Sequence, residues 1–292
     1  MFPPSSVIRR VNEEPVILLG AGRALLLQLA HPHVAAGVAE HSDFQSNPFK
    51  RLQGTLEATY AMVCGDPALA AGVGRRIRWI HDFVTGPAYQ ANDPANLLWV
   101  HATLLDTALG CYERLVAPLS TGDRQTYYDE MAVVAEGFGC PRSAQPATIG
   151  EFETYFAEQV RTIEVTDAGR RLARDVVTPK LPLGLHVPLG PALALQRLLA
   201  VGTLPPRLRE QFGFAWDNRH QRRLDRFDNV ARRTVRVLPR PARIAPINIY
   251  GRLLLHQAAK HVRQFETRQA SVHAGARAHE LADVLGGEEL GR

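Results

Sequence analysis

Cysteine is scarce in this chain of 292 residues. The three cysteines, Cys64, Cys111 and Cys140, lie far apart and show no CxxC or zinc-ribbon spacing. An odd, scattered set is typical of reduced thiols rather than of a disulfide framework, so we expect a cytoplasmic protein. The first residues also lack the basic and then apolar segments that mark a signal peptide.

Long uninterrupted apolar runs are absent as well. The most apolar stretch, residues 181–201, contains His186, Gln196, Arg197 and three prolines. These interruptions exclude a spanning helix, which needs about 20 apolar residues in a row. A peripheral contact with a membrane surface is compatible with this stretch.

Aromatic residues are few, whereas alanine, leucine and arginine are abundant, and β-branched residues seldom follow one another. This composition favours helix over strand. Helix starts are marked by Asp66-Pro67, by Asp93-Pro94 and by a capping box from Thr148 to Glu151. We therefore predict an all-α, single-domain helical bundle over residues 1–270, followed by a flexible C-terminal tail over 271–292.

Positive charge is concentrated in one segment. Residues 207–243 contain eleven arginines and four acidic residues, a net charge of +7, so the rest of the chain carries 5 − 7 = −2. Such a run suits an anionic partner, or it forms a solvated helix face with acids placed within it. The segment has no zinc-finger spacing, RNP-type sequence or interleaved aromatic residues, so we expect no nucleic-acid partner.

A glycine-rich segment imitates a dinucleotide site. Residues 16–25, VILLGAGRAL, are typical of a strand, a tight turn and a helix, and Glu40 lies near the position of a ribose-binding acid. However, Leu25 occupies the third small position, and His31-Pro32 interrupts the crossover helix. Because no strand–helix alternation follows, we favour a turn into a buried helix over a nicotinamide-dependent dehydrogenase.

Single histidines on apolar helices remain as candidates for chemistry. The chain has no HExxH or ExxH pair and no GxSxG elbow, which removes the usual zincin, di-iron and hydrolase patterns. His81 follows Ile77 and Ile80 on an apolar helix face, and His101 lies in a similar setting. Either side chain suits an axial haem ligand, which is a neutral imidazole, or an ordinary core histidine bonded to a carbonyl.

Several segments resemble one enzyme family: HPHVAAGV (31–38), PFKRLQGT (48–55), RIRWIH (76–81), YQANDP (89–94) and LWVHA (98–102). Together they resemble the MpaB-type oxygenases and the latex-clearing rubber oxygenases. The likeness is dense from residue 15 to 141 and scattered beyond, as in GTLP at 202–205.

The resemblance implies an all-helical protein with a globin-like core that binds haem b. His81 matches the proximal histidine of the rubber oxygenases, and His101 is the alternative. Arg51 and Thr55 match the family's Arg-x-x-x-Thr motif, which implies a role in orienting oxygen or a haem propionate. Arg51 is equally compatible with an ion pair, and Thr55 with a helix threonine bonded to its own backbone.

One position departs from the family. The residue before the threonine is a lysine in rubber oxygenases, where it can cap the distal side of the iron, and here it is Gly54. This difference implies a distal side that is open or filled by water, His31 or His41. Glu40 and Glu57 both remain candidates for the family's catalytic glutamate.

The resemblance thus predicts a haem-b-dependent oxygenase or oxidase that acts on a small apolar or natural-product-like substrate with dioxygen or peroxide. Oxidative alkene cleavage, hydroxylation and desaturation all fit the residues. The alternative from another class is a non-catalytic helical protein that binds a lipid or a protein partner.

Overall fold

Helices carry nearly all the regular structure of the described chain. The computed structural model describes residues 2–41, 48–179 and 183–286, with the side chains of 48–52, 183–187 and 272–286 excepted. The helices are α1 Val7–Asn12, α2 Ala21–Ala30, α3 Pro32–His41, α4 Pro48–Cys64, α5 Pro67–Asp82, α6 Pro94–Leu115, α7 Thr121–Gly137, α8 Ile149–Thr162, α9 Asp167–Val177, α10 Leu183–Gly202, α11 Pro206–Gln211, α12 Asn218–Val237 and α13 Arg240–Gly286. Within these described ranges, the other regular elements are two 3₁₀ segments, Pro15–Gly20 and Arg142–Ala144, and one small hairpin, Thr85–Gly86 (β1) with Tyr89–Gln90 (β2).

Side-chain caps explain why several helices begin where they do. The Asp66 carboxylate accepts a hydrogen bond from the backbone N–H of Leu69 at 2.8 Å, and Pro67 follows as the first helical residue. Asp93 caps α6 in the same way, and Thr148 caps α8. Each cap satisfies a backbone donor that the first helical turn leaves unpaired.

The core is built around α2 and α6. Leu26, Leu27 and Leu29 of α2 are fully buried, and the indole N–H of Trp99 on α6 donates to the Leu27 carbonyl at 3.1 Å. Each buried leucine contributes about 1.5–3 kcal/mol through burial of apolar surface. The buried indole keeps its one donor satisfied, as a tryptophan in a dry core requires.

The segment that imitates a dinucleotide site is a packed turn. Residues 15–20 form a 3₁₀ helix, although their apolar character is typical of a strand. Helix α2 then begins at Ala21. A Cβ on Gly20 would overlap the Thr107 side chain, and one on Gly22 would lie 2.5 Å from Gln196 Nε2. Both glycines therefore allow close helix packing, in agreement with the predicted turn into a buried helix.

A second contact region joins α4, α5 and α13. Ala58, Ala61 and Val73 pack there against Ala258 and Val262. Small side chains let the three helices approach closely, since a narrow residue on one helix leaves room for a wider one on the next. This region anchors the long helix α13 to the two helices that carry the Arg-x-x-x-Thr motif and His81.

The chain turns sharply between α2 and α3. Within the described ranges no single helix is long and apolar enough to cross a membrane. By length and composition alone, the bent pair Pro15–Ala30 and Pro32–His41, with an angle of 103° between its halves, passes the same test.

The predicted all-α, single-domain fold is confirmed. Helix α7 begins at Thr121, and its cap is Ser120, whose hydroxyl accepts a hydrogen bond from the Asp123 N–H at 3.1 Å. Helix α10 runs from Leu183 to Gly202 and contains two internal prolines, Pro188 and Pro191. The boundary between a domain of residues 1–270 and a tail of 271–292 stays a prediction, and α13 runs through Gly286.

Candidate functional site

A largely apolar cavity of about 150 Å³ lies between the N-terminal segment and helices α2, α4, α6 and α13. A dry apolar cavity of roughly this volume accommodates a group of about the size of benzene. Its wall is formed by Asn12, Glu14, Ile17, Leu18, Gly20, Ala21, Ala24, Leu25, Gln28, Thr55, Leu56, Thr59, Tyr60, Val63, Leu104, Thr107, Ala108, Met131, Ile247, Tyr250 and Leu254.

A few polar groups interrupt this wall. Gln28 is buried on α2, and the Thr107 hydroxyl on α6 accepts a hydrogen bond from Arg23 Nη1 at 2.7 Å. Burial raises the pKa of the Tyr60 phenol, which therefore stays protonated and can donate a hydrogen bond. A few placed polar groups in an apolar wall are what a small-molecule site uses to orient its ligand.

Glu14 places a carboxylate at the edge of the cavity, but its charge is already compensated. Glu14 Oε1 lies 2.7 Å from Arg243 Nη2 at the start of α13, and the Glu14 side chain is almost fully buried. Arg240 Nη2 lies 3.1 Å from the neighbouring Glu13. A buried, paired carboxylate of this kind links the N-terminal segment to α13.

Thr55 is the member of the predicted distal motif that contacts the cavity. It lies on α4 at the exposed end of the cavity wall. Around the preceding Gly54, no atom of a described residue lies within 4 Å of where its Cβ would be. Arg51 belongs to the same helix, and its side chain lies outside the described residues.

His81 lies in the last turn of α5, the helix that packs beside α4. Its ring is half-buried, and its Nδ1 atom is buried. Residues 73, 77 and 81 share one helix face by their spacing, and Val73 and Ile77 pack in the α4–α5–α13 contact region. His81 thus extends an apolar face by one turn, and it does not line the cavity.

His101 is a core histidine on α6. It is fully buried, and burial lowers the pKa of its imidazole from 6.5 to about 4, so the ring is neutral near pH 7. Its Nε2 atom has no hydrogen-bond partner among the described residues. A neutral ring with an unpaired nitrogen has the chemistry of an iron ligand, but His101 lies outside the cavity wall.

His31 and His41 lie at opposite ends of α3, roughly 15 Å apart at 1.5 Å per residue. Burial, together with the nearby His33, lowers the pKa of His31 to about 4, and its ring lies 6.3 Å from that of Trp99. His41 Nε2 lies 3.0 Å from the Thr85 carbonyl of the hairpin. The two histidines considered for the distal side of the iron therefore lie in different places, His31 against the core and His41 at the hairpin.

The two glutamates considered for catalysis also have partners. Glu40 accepts a hydrogen bond from the Tyr89 hydroxyl at 2.7 Å. Glu57 is buried on α4 and lies 2.8 Å from His261 Nδ1 on α13. By helical spacing Glu57 points away from the α4 face that carries Thr55.

Sequence reasoning missed the Glu57–His261 pair and most of the cavity wall. The pair joins positions 204 residues apart, so nothing local in the chain signals it. Gln28 did carry a signal, because it is the one polar side chain within the apolar run of residues 25–30. A polar residue in a buried run indicates an internal hydrogen bond or a site.

No group of three or more histidines, cysteines or acidic residues in the described part of the chain could hold a metal ion. A haem iron needs only one or two axial ligands from the protein, because the porphyrin supplies the other four. The cavity is too small for a porphyrin in this conformation. Of the histidines singled out from the sequence, His81 ends an apolar face of α5, the helix that packs beside α4.

These features define an all-α protein with an apolar ligand cavity and neutral histidines on the adjacent helices. Residues 8–238 match the family described as ER-bound oxygenase mpaB/B′ and rubber oxygenase, catalytic domain, and the chain belongs to this family. Membership supports its assignment as an enzyme of the oxygenase class. The resemblance expected from the sequence motifs is thereby confirmed.

Two mycobacterial proteins are similar to the chain. Uncharacterized proteins of Mycobacterium bovis and Mycobacterium tuberculosis are each 27% identical to it over 238 residues, which cover 77% of this chain and 91% of each relative. No solved structure matches the chain significantly.

Proposed function

We propose that this protein is a haem-b-dependent oxygenase in which the His81 imidazole would bind the iron. The observation that carries the proposal is the position of His81 on α5 beside α4, the helix whose Thr55 lines the apolar cavity. Membership of the oxygenase family also supports this proposed function. Haem, when bound, supplies the oxygen chemistry, with dioxygen or peroxide as the oxidant.

The protein's own residues would hold and orient the reactants. The His81 imidazole would bind the iron, and Arg51 and Thr55 would interact with oxygen or a propionate on the α4 side. The apolar wall, including Ala24 and Leu254, would exclude water and bind a small apolar substrate, as expected for a mainly apolar pocket. Thr55 and the protonated Tyr60 would donate hydrogen bonds to a polar group of that substrate.

The cavity limits the size of the substrate group that enters it. About 150 Å³ holds roughly a benzene-sized group, so we expect one end of an apolar or natural-product-like molecule to occupy it. Oxidative alkene cleavage, hydroxylation and desaturation are the reactions proposed for a substrate held in this way.

An absorption spectrum tests the proposal. The purified protein, incubated with haemin and freed of excess, should show a Soret band and a b-type pyridine haemochrome at one haem per chain. His81→Ala should lose this band while its far-ultraviolet circular dichroism stays helical, because packing of α5 depends on Val73 and Ile77. His101→Ala is the matched control and should retain haem.

Two results would contradict the proposal. A protein that stays colourless after reconstitution would exclude haem binding. If His101→Ala loses haem and His81→Ala retains it, the iron ligand would be assigned to His101 on α6.

The apolar cavity by itself favours a second candidate, a non-catalytic protein that binds a lipid or another apolar ligand. A colourless protein that takes up an apolar fluorescent probe, and loses this uptake when Ala24→Phe fills the cavity, would support that candidate. The dehydrogenase alternative loses its basis, because Gly20 and Gly22 pack against side chains of α6 and α10.

A further inference from the structure

The outward face of α12 carries arginines and valines in a helical stripe. Spacings of three and four residues place Arg219, Arg223, Arg226, Val230, Arg233 and Val237 on one face. Val230 is 63% exposed and Val237 is 80% exposed, and the opposite face is buried through Leu224, Asp228 and Val235. We call this set the α12 stripe.

The outward face of α13 has the same character. Residues Ile249, Arg252, Leu253, His256, Lys260 and Arg263 share one side, which we call the α13 stripe, opposite the buried Leu254, Ala258 and Val262. Ile249 is 73% exposed and Leu253 is 49% exposed. Isolated surface leucines are ordinary, but repeated apolar residues among cations on consecutive helices form an unusual surface.

Carboxylates are missing from both stripes. The acids of α12 lie elsewhere: Asp228 is buried and paired with Arg114, and Asp225 accepts from Gln221. On α13, Glu266 pairs with Arg75. No ion pair with a described residue neutralises the four arginines of the α12 stripe or the Arg252, Lys260 and Arg263 side chains of the α13 stripe, so both surfaces stay cationic.

We infer that the α12 and α13 stripes dock this protein onto the surface of an anionic lipid bilayer. Cationic side chains are attracted to acidic headgroups, and apolar side chains beside them insert at the boundary between headgroups and acyl chains. A second copy of the chain fits poorly, since it would bring a cationic face against a cationic face. Nucleic acid would leave Ile249, Leu253, Val230 and Val237 without an apolar partner.

The cavity opens next to this surface. Leu18 and Tyr250 line the cavity and are 38% and 37% exposed, and Tyr250 directly follows Ile249 on α13. A molecule dissolved in the bilayer would therefore meet the cavity without crossing water. The docking itself requires neither haem nor substrate, so its test is separate from that of the proposed oxygenase activity.

Vesicle co-sedimentation of the full chain tests the inference. The protein should bind vesicles of phosphatidylcholine with about 30% phosphatidylglycerol, bind pure phosphatidylcholine far less, and dissociate as salt rises. Ile249→Asp/Leu253→Asp should reduce the partition coefficient at least about tenfold. Arg223→Gln/Arg226→Gln should reduce it by about fivefold for each arginine.

Val133→Asp on α7 is the matched control. Val133 is an exposed apolar residue on a different helix, so its replacement should leave vesicle binding unchanged. Circular dichroism of all variants should remain that of the wild type, because every replaced side chain faces outward.

Several results would overturn the inference. These are absence of binding to the anionic vesicles, or equal binding by Ile249→Asp/Leu253→Asp and Val133→Asp. A vesicle-free dimer in light scattering that the double variant abolishes would assign the surface to a second copy. Oligonucleotide binding that is lost in the same variants would assign it to nucleic acid.

Discussion

The buried imidazole of His101 should make the stability of the protein depend on pH. In the folded chain its pKa is about 4, whereas the ordinary value of 6.5 applies once the chain unfolds. Between these values the unfolded chain binds more protons, so the free energy of unfolding must fall as the pH falls from 6.5 towards 4. The full effect is about 3 kcal/mol, of which about 2 kcal/mol is lost at pH 5.

Replacing His101 with leucine removes both the titration and an unpaired buried nitrogen. We expect His101→Leu to be at least as stable as the wild type at pH 7, because an unsatisfied buried polar atom costs about 1–3 kcal/mol. Urea unfolding at pH 7 and pH 5, followed by circular dichroism, should show a pH effect about 2 kcal/mol smaller in the variant. Some dependence should remain, since burial also lowers the pKa of His31 to about 4.

An identical pH effect in His101→Leu and wild type would refute the reasoning. A large loss of stability in His101→Leu at pH 7 would also refute it, because it would mean that the imidazole has a structural partner.

Two further predictions concern glycines. Gly20→Ala should lower the free energy of unfolding by about 1–3 kcal/mol in urea titrations, because its Cβ would overlap Thr107 and lie 2.7 Å from Cys111 Sγ. Gly110→Ala should instead stabilise by up to about 1 kcal/mol, since that helical glycine faces open space, and equal effects would disprove the packing argument. On the distal side, the haem-loaded ferric protein should be mainly high-spin and shift readily on addition of imidazole or cyanide, whereas Gly54→Lys should be low-spin at rest. A low-spin wild type that becomes high-spin in the His31→Ala or His41→Ala variant would show that a histidine already closes the pocket.

Local chemistry was sufficient to predict most of the helices. Asp66-Pro67 and Asp93-Pro94 start helices because an acidic cap and a proline at the first position each act within one turn. The short helices α1 and α11, with six residues each, gave too little periodicity to be predicted. The apolar residues 16–19 imitate a strand, and only packing against α6 selects the 3₁₀ turn.

The candidate site divides in the same way. Short segments of the sequence were sufficient to identify the motif around Arg51 and Thr55 and the apolar helix with His81. Together with similar segments, they also identified the family. The cavity was not, because its wall joins residues from Asn12 to Leu254 that meet only when α2, α4, α6 and α13 pack. Contacts between helices distant in sequence also bury His101, which keeps its imidazole neutral. The same kind of contact leaves the Ile249 side chain exposed to solvent next to the cavity. The sequence determined the helices and the candidate ligand residues through interactions within a few residues, whereas only the tertiary structure decided which side chains share a cavity and which face the solvent.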